Sequence, residues 1–371
     1  MTEWKTYTLK ELSKGRGEYG IGAPAVPFDK EKYTYLRITD INDDGTLNTS
    51  GMMSVDADDA EEYILEKNDI VFARTGNSTG RSYFYDGRDG ELVYAGFLIR
   101  FRLDETKVNP KILKYYTHSK PYYDWVKSFD TGGTRGNINA KTYGDMPIYL
   151  PPRHIQDRIA GILSAIDDKI ENNRRINTNL ELQAQALYKQ WFVDNRSDDW
   201  EKKKLESIID IGSGKGLARI DFVEDGLYPI LGANGQIGRT NNFLIDKKDN
   251  VLFTGRVGTL GNVFRLQQKR AWLSDNTLII TPKKKYYNYV YFFLKSSNLK
   301  DFNVGSTQPL IRQSDIKEMD ILIPDYLTLE AFENKCIAMF DKINQANAEI
   351  DSLTTLRDTL LPKLMNGEIK L

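Results

Sequence analysis

The stretch TGGTRGNINAKTYGDMPIYLPP, residues 131–152, has a second, diverged copy in VGSTQPLIRQSDIKEMDILIPD, residues 304–325. The offset is a constant 173, and without a gap it holds from residue 127 to residue 170. Over those 44 positions twelve are identical: Lys127, Phe129, Gly132, Thr134, Ile138, Met146, Ile148, Pro151, Ala165, Asp168, Lys169 and Ile170. Chance at roughly 6% per position would give about three. The likeness continues outward. EWKTYTLKEL (3–12) resembles DWEKKKLESI (199–208), with Trp4 on Trp200 and Leu9 on Leu205. FARTGNSTG (72–80) sits more weakly beside FTGRVGTLG (253–261). The chain therefore reads as one unit written twice.

Each copy has a globular part and then a long helix. Short β-type runs bounded by Gly, Asn and Asp, such as DIVFAR and NTLIITP, mix with the short helical candidates KILKYYTHSKPYYDWVKSF and YNYVYFFLKSSNLKDF. This predicts an α+β fold. From Arg153 to Asn195 there is no proline, and apolar residues fall at Ile155, Ile159, Ile162, Ile166, Ile170, Ile176, Leu180, Ala184, Leu187 and Trp191. In the second copy they fall at Phe332, Cys336, Met339, Ile343, Ala346, Ile350, Leu353, Leu360 and Leu364, with Pro362 expected to kink or end the helix. Steps of three, four and seven describe a coiled-coil seam. A helix of about 40 residues is about 60 Å long. One narrow stripe of that length wants one partner helix, and the other copy supplies it. The expected architecture is a tandem duplicated unit: two globular α/β domains, residues 1–152 and 196–325, separated by two long antiparallel coiled-coil helices, 153–195 and 326–371, with pseudo-two-fold symmetry. Duplex DNA has the same kind of symmetry.

Composition narrows the function. The chain has 371 residues, 40% hydrophobic and 28% charged. No apolar run is long enough to span a membrane, and the N-terminus has no secretory h-region. A single cysteine, Cys336, with only His118 and His154, predicts no disulfide framework, no structural zinc and a reducing, cytoplasmic setting. The net charge is −1, but it is unevenly spread. Residues 70–155 carry 13 basic against 8 acidic side chains and residues 200–320 carry 19 against 13, whereas residues 1–69 carry 8 against 15. Two basic blocks on a neutral chain can still bind phosphate.

The duplication, the paired Trp…Leu openings, the loop–strand–Pro elements (Gly132 to Pro152, Gly305 to Pro324), the Asp167–Ile170 and Phe340–Ile343 helix patterns and the ending Leu361–Ile369 together resemble the specificity (S, HsdS) subunits of type I restriction-modification enzymes. The resemblance implies that each globular part is a target recognition domain reading one half of a bipartite duplex DNA site. It implies that the helices act as spacer and dock two methyltransferase subunits, with translocating restriction subunits joining them. It also implies a non-catalytic chain without cofactor. The rival expectations are an enzyme with an unrecognised nuclease or methyltransferase centre, and a coiled-coil scaffold that binds only protein. No [DNS]-P-P-[FYW] motif supports the first, and the acids of residues 40–69 are too scattered to name a site.

Within that frame the loops are the candidate DNA contacts. Arg reads guanine and Asn reads adenine through two hydrogen bonds each, while glycine lets the backbone approach closely. In the first copy these are Arg74, Thr75, Asn77 and Arg81, then Thr134, Arg135, Asn137, Asn139 and Lys141. In the second they are Asn234 and Arg239, Arg256 and Thr259, then Ser306, Thr307, Gln308 and Arg312. Residues shared by both copies are expected to shape turns or hold phosphate. Those that differ, Arg135 against Gln308 and Asn139 against Arg312, are the better base readers. GSGKG (212–216) lacks the Ser/Thr that a P-loop needs after its lysine and reads as a glycine-rich turn. PYYDWVKSF and KYYNYVYFF read as core. The helix-pairing positions are Ile159, Ile162, Ile166, Ile170, Leu180 and Leu187 against Phe332, Met339, Ile343, Ile350, Leu353 and Leu360. No metal ligand set is present.

Overall fold

The computed structural model describes residues 4–130, 136–246, 251–369 and 371. The chain divides into two compact units, residues 1–171 with 351–371, and residues 172–350.

The first unit opens with strand Lys5–Thr8, which pairs antiparallel with Pro147–Leu150, Lys5 opposite Leu150. The second repeats this with Glu201–Lys204 on Asp320–Ile323, Glu201 opposite Ile323. Those pairings reproduce both offsets, 196 and 173. Next comes a four-stranded antiparallel sheet. Its order is Glu18–Tyr19, Leu98–Arg102, Asp69–Ala73, Ser82–Phe84 in the first unit. In the second it is Ile209–Ser213, Thr277–Pro282, Leu252–Gly255, Val263–Arg265. Asp69–Ala73 is buried at every residue, as a strand covered on both faces must be. A second sheet carries a parallel strand pair in each unit, Tyr33–Leu36 with Leu92–Tyr94 and Tyr228–Gly232 with Arg270–Leu273. Its fourth strand is added at opposite edges. Ala25–Val26 pairs with Met53–Val55 in one unit, whereas Ile245–Asp246 pairs with Arg270–Leu273 in the other.

The register of the main sheets corrects one alignment. FARTGNSTG on FTGRVGTLG puts Arg74 opposite Gly255. In the sheets, Ala73 pairs with Leu98 and Gly255 pairs with Thr277, so the next residues, Arg74 and Arg256, are the equivalent pair. The true local offset is 182.

The aromatic runs are core. Tyr122 is fully buried and its hydroxyl donates to the Gly80 carbonyl at 2.5 Å. Tyr289, Val290, Tyr291 and Phe292 are buried together in the second unit.

The long helices are Arg153–Tyr188, continued by a π-helical turn to Asp194, and Tyr326–Met365. Pro362 stands inside the second one, three residues before its end. They run antiparallel in each unit. In the first, Ile155, Ile159 and Leu163 share a core with Leu361, Leu364 and Met365, with Leu360 packed against it. In the second, Asn173 Nδ2 donates to Glu349 at 2.8 Å and Asn177 Nδ2 to Asn347 at 2.7 Å. There Leu180 and Leu187 pack on the core that holds Phe332, Cys336, Phe340 and Ile343, as does Met339. Ile170 is buried, and Ile166, Ile350 and Leu353 are half-buried.

The seam departs from the expected one at Ile162 and Ile176, which are 37% and 39% exposed. An ideal helix drifts about 20° per heptad from a 3.5-residue repeat. The inward position after Ile155 and Ile159 therefore passes to fully buried Leu163, not Ile162, and Asn173 rather than Ile176 faces inward. Burial pushes the Cys336 thiol up to about 12, as befits an inert core residue.

Candidate nucleic-acid interface

Both units build the same small constellation where the buried central strand of the main sheet ends. In the first unit Arg74 follows that strand. Its backbone N–H donates to the Phe97 carbonyl at 3.1 Å, and its carbonyl accepts from Ile138 N–H at 3.0 Å. In the second, Arg256 N–H donates to the Asn276 carbonyl at 2.7 Å and its carbonyl accepts from Ile311 N–H at 2.9 Å. Each arginine is thus clamped between a turn and the loop of the quoted repeat. Both guanidinium Nε atoms are buried and make no hydrogen bond within the protein.

The edge strand completes the patch. Arg74 lies over the Tyr19 ring, 4.9 Å from its centroid, and the Tyr19 hydroxyl accepts from Ala140 N–H at 3.1 Å. In the second unit Ser213 takes that place: its hydroxyl accepts from Gln313 Nε2 at 2.9 Å and lies 3.5 Å from Arg256 Nη1. Ala140 and Gln313 both open short helices, Ala140–Gly144 and Gln313–Lys317. Sequence reasoning missed Tyr19 and Ser213, because EYG and GSG are too short to align without the sheet register.

GSGKG belongs to the same corner. Gly214 N–H donates to the Thr277 carbonyl at 3.0 Å, and a Cβ there would lie 2.0 Å from the Ser274 carbonyl oxygen. Gly20 is its counterpart, where a Cβ would lie 2.2 Å from the Tyr94 carbonyl oxygen. Both glycines exist for strand-to-strand approach rather than to cradle a phosphate.

The remaining candidates fall into three groups. Some are exposed around the clamps: Asn77, Asn137 and Lys141 in the first unit, Thr259, Thr307 and Gln308 in the second, with Thr75 half-buried beside Arg74. Others are tied to their own unit. Arg81 Nε pairs with Asp43 at 2.7 Å and its Nη1 donates to the Ile41 carbonyl at 3.0 Å. Arg239 donates to the Gly226 and Leu227 carbonyls at 2.7 and 3.3 Å. Asn139 caps its helix by accepting from Thr142 N–H at 2.9 Å, and Asn234 Oδ1 accepts from Asn262 at 3.0 Å. Arg312 is exposed at the same cap position as Asn139, its backbone N–H donating to Asp315 at 3.0 Å. Thr134 and Arg135 lie outside the described residues. Among the described residues no group of His, Cys, Asp and Glu has metal-binding geometry. No described helix is long and apolar enough to cross a membrane.

A corner of clamped arginine, close-packed glycine and helix cap is thus built twice, once in each unit of a duplicated chain. The family described as type I restriction modification DNA specificity domain matches residues 1–182 and again 197–346, and the chain belongs to it. As a specificity subunit of that family it is a non-catalytic component. It is similar to the type I restriction enzyme MjaIX specificity subunit of Methanocaldococcus jannaschii, 25% identical over 70% of this chain and 68% of that one. It is also similar to the type I restriction enzyme HindI specificity subunit of Haemophilus influenzae, 23% identical with both chains covered in full. Its fold is that of the crystal structure of a type I restriction-modification S subunit from M. genitalium, with TM-score 0.59, 20% identity and coverage of 98% and 96%.

Proposed function

We propose that this chain is the subunit that selects the DNA site of a type I restriction-modification enzyme by reading a bipartite duplex sequence through two recognition domains, residues 1–152 and 196–325. The long helices, 153–195 and 326–371, serve as spacer and docking surface for two methyltransferase subunits, to which restriction subunits are added, in the cytoplasm. The observation that supports this best is the repeated clamp: one backbone arrangement around Arg74 and Arg256, dressed with different side chains. A reader of two unlike half-sites needs a shared frame and divergent contacts. The basic excess of residues 70–155 and 200–320 suits a phosphate backbone.

Arg74→Ala and Arg256→Ala test it, each assembled with the methyltransferase subunits and read by methylation-site mapping. Each variant is expected to relax or abolish recognition of one half-sequence and spare the other. Loss of both halves together, or of neither, overturns the reading. The spacer role is tested by four-residue insertions. The segment just after Arg153 is unsuitable, because Ile155 and Ile159 are buried and Gln156 bonds Asn109 N–H at 3.0 Å and the Pro151 carbonyl at 2.9 Å. Matched insertions after Glu171 and after Ile350 leave both units whole. Each adds about 6 Å of helix, so the accepted spacer should grow by one or two base pairs at about 3.4 Å each.

A further inference from the structure

Next to each clamped arginine, the two units carry the same four-residue turn with unlike tips. In the first unit Leu98 N–H donates to the Ala95 carbonyl at 2.8 Å, closing the turn Ala95–Gly96–Phe97–Leu98. In the second, Thr277 N–H donates to the Ser274 carbonyl at 3.0 Å, closing Ser274–Asp275–Asn276–Thr277. Third in each turn stand Phe97 and Asn276, and these are the residues whose carbonyls hold Arg74 and Arg256. Their side chains project from a backbone fixed on both sides. Phe97 is 60% exposed and Asn276 is exposed. No alignment from sequence pairs them, because the local offset there is 179.

We infer that positions 97 and 276 are the equivalent specificity-determining position of the two recognition domains, Phe97 reading a thymine through its C5-methyl group and Asn276 reading an adenine. This rests on the DNA-reading function proposed above. A phenylalanine held open to water gains only if a partner covers it, and here its own carbonyl holds the N–H of Arg74, so the ring stands beside a cationic residue suited to a polar groove. The one apolar group that the major groove presents is the thymine methyl. A carboxamide in the same place matches the N7 acceptor and N6 donor of adenine, one hydrogen bond to each. The residue type thus changes while the frame does not, as two half-sites of different sequence require.

The test uses the full chain assembled with its methyltransferase subunits and duplexes carrying the mapped site. Each thymine of the half-site assigned by Arg74→Ala is replaced singly by uracil, which removes only the methyl. For the unaltered chain, one such replacement should weaken binding roughly three- to fivefold, the worth of one buried methyl. Phe97→Ala should abolish that difference, binding the thymine and uracil duplexes equally. Asn276→Ala should lose roughly tenfold discrimination for adenine at one position of the other half-site. If no uracil replacement matters to the unaltered chain, or Phe97→Ala is penalised equally on both duplexes, the assignment of Phe97 is overturned. If Arg74→Ala changes neither half-sequence, the underlying DNA-reading function fails instead, and the two failures are separable. Because both tips are exposed, melting temperatures should match the unaltered chain, which shows that any loss is one of contact rather than folding.

Discussion

The two units anchor the same helix position by opposite chemistry. At offset 173, Asp167 of the first unit corresponds to Phe340 of the second. Asp167 accepts from Lys114 Nζ at 2.6 Å, the Tyr115 hydroxyl at 2.9 Å and Arg357 Nη1 at 3.2 Å. Burial works to raise its carboxyl, but Lys114, Tyr115 and Arg357 outweigh it and hold it below the ordinary carboxylate range. Phe340 instead joins Tyr291 and Phe292, with the Arg265 guanidinium 3.3 Å from its ring centroid. Where the first unit has Phe84, the second has Arg265, since both stand opposite the matching central-strand residues Ile70 and Leu252. A repeated backbone therefore does not imply repeated energetics. One anchor depends on charge state, and the other on filled volume.

Removing volume should give the largest effect. Phe332 is fully buried and its ring packs on Tyr188, Phe192 and Phe292. Phe332→Ala should cost the second unit about 3–5 kcal/mol, seen as faster amide exchange in residues 172–350 and little change in the first unit. Equal losses in both units would end the contrast.

Acid should act on the first unit through His118. Burial pushes its imidazole down to about 4; Asp44 opposes this, and Lys114 and Arg357 reinforce it. A histidine kept neutral by the fold contributes stability above its ordinary value of about 6.5, and that stability is lost as pH falls toward 4. The loss is about 3 kcal/mol at most. Asp69, raised by burial to about 6, acts with the opposite sign in the same range. The informative quantity is thus the difference in pH-dependent unfolding between the unaltered chain and His118→Gln. That difference should grow from pH 6.5 to pH 4; a flat difference would show that His118 is not the group responsible.

A smaller effect is expected at Asp167. Its partners Lys114 and Arg357 keep 35% and 24% of their side-chain exposure, so water screens the charges left behind. Asp167→Ala should cost about 2 kcal/mol, below the range for a fully buried pair. Added salt should narrow the gap to the unaltered chain, whereas salt should leave the Phe332→Ala penalty nearly unchanged.

The sequence by itself determined the duplication, the two long helices and the short strand that closes each globular part. These features are local or periodic: a gapless match over 44 positions with twelve identities, a heptad-like stripe, and a Trp…Leu opening repeated at offset 196, whose pairing with residues 147–150 and 320–323 came only with the structure. Only the tertiary structure decided which residues meet at the corner around Arg74 and Arg256. Tyr19 and Ser213, Gly20 and Gly214, and Phe97 and Asn276 stand at offsets of 194 and 179, different from those of the flanking segments, because each intervening loop changed length independently. Hydrogen-bond register carries such equivalences across a sheet, and residue identity does not, since one unit fills the position with a ring and the other with a hydroxyl or an amide. The inward face of the first helix was likewise a tertiary matter. Its stripe offers Ile162 and Leu163 side by side, and the drift of a 3.6-residue helix against its partner, not their hydrophobicity, buried Leu163.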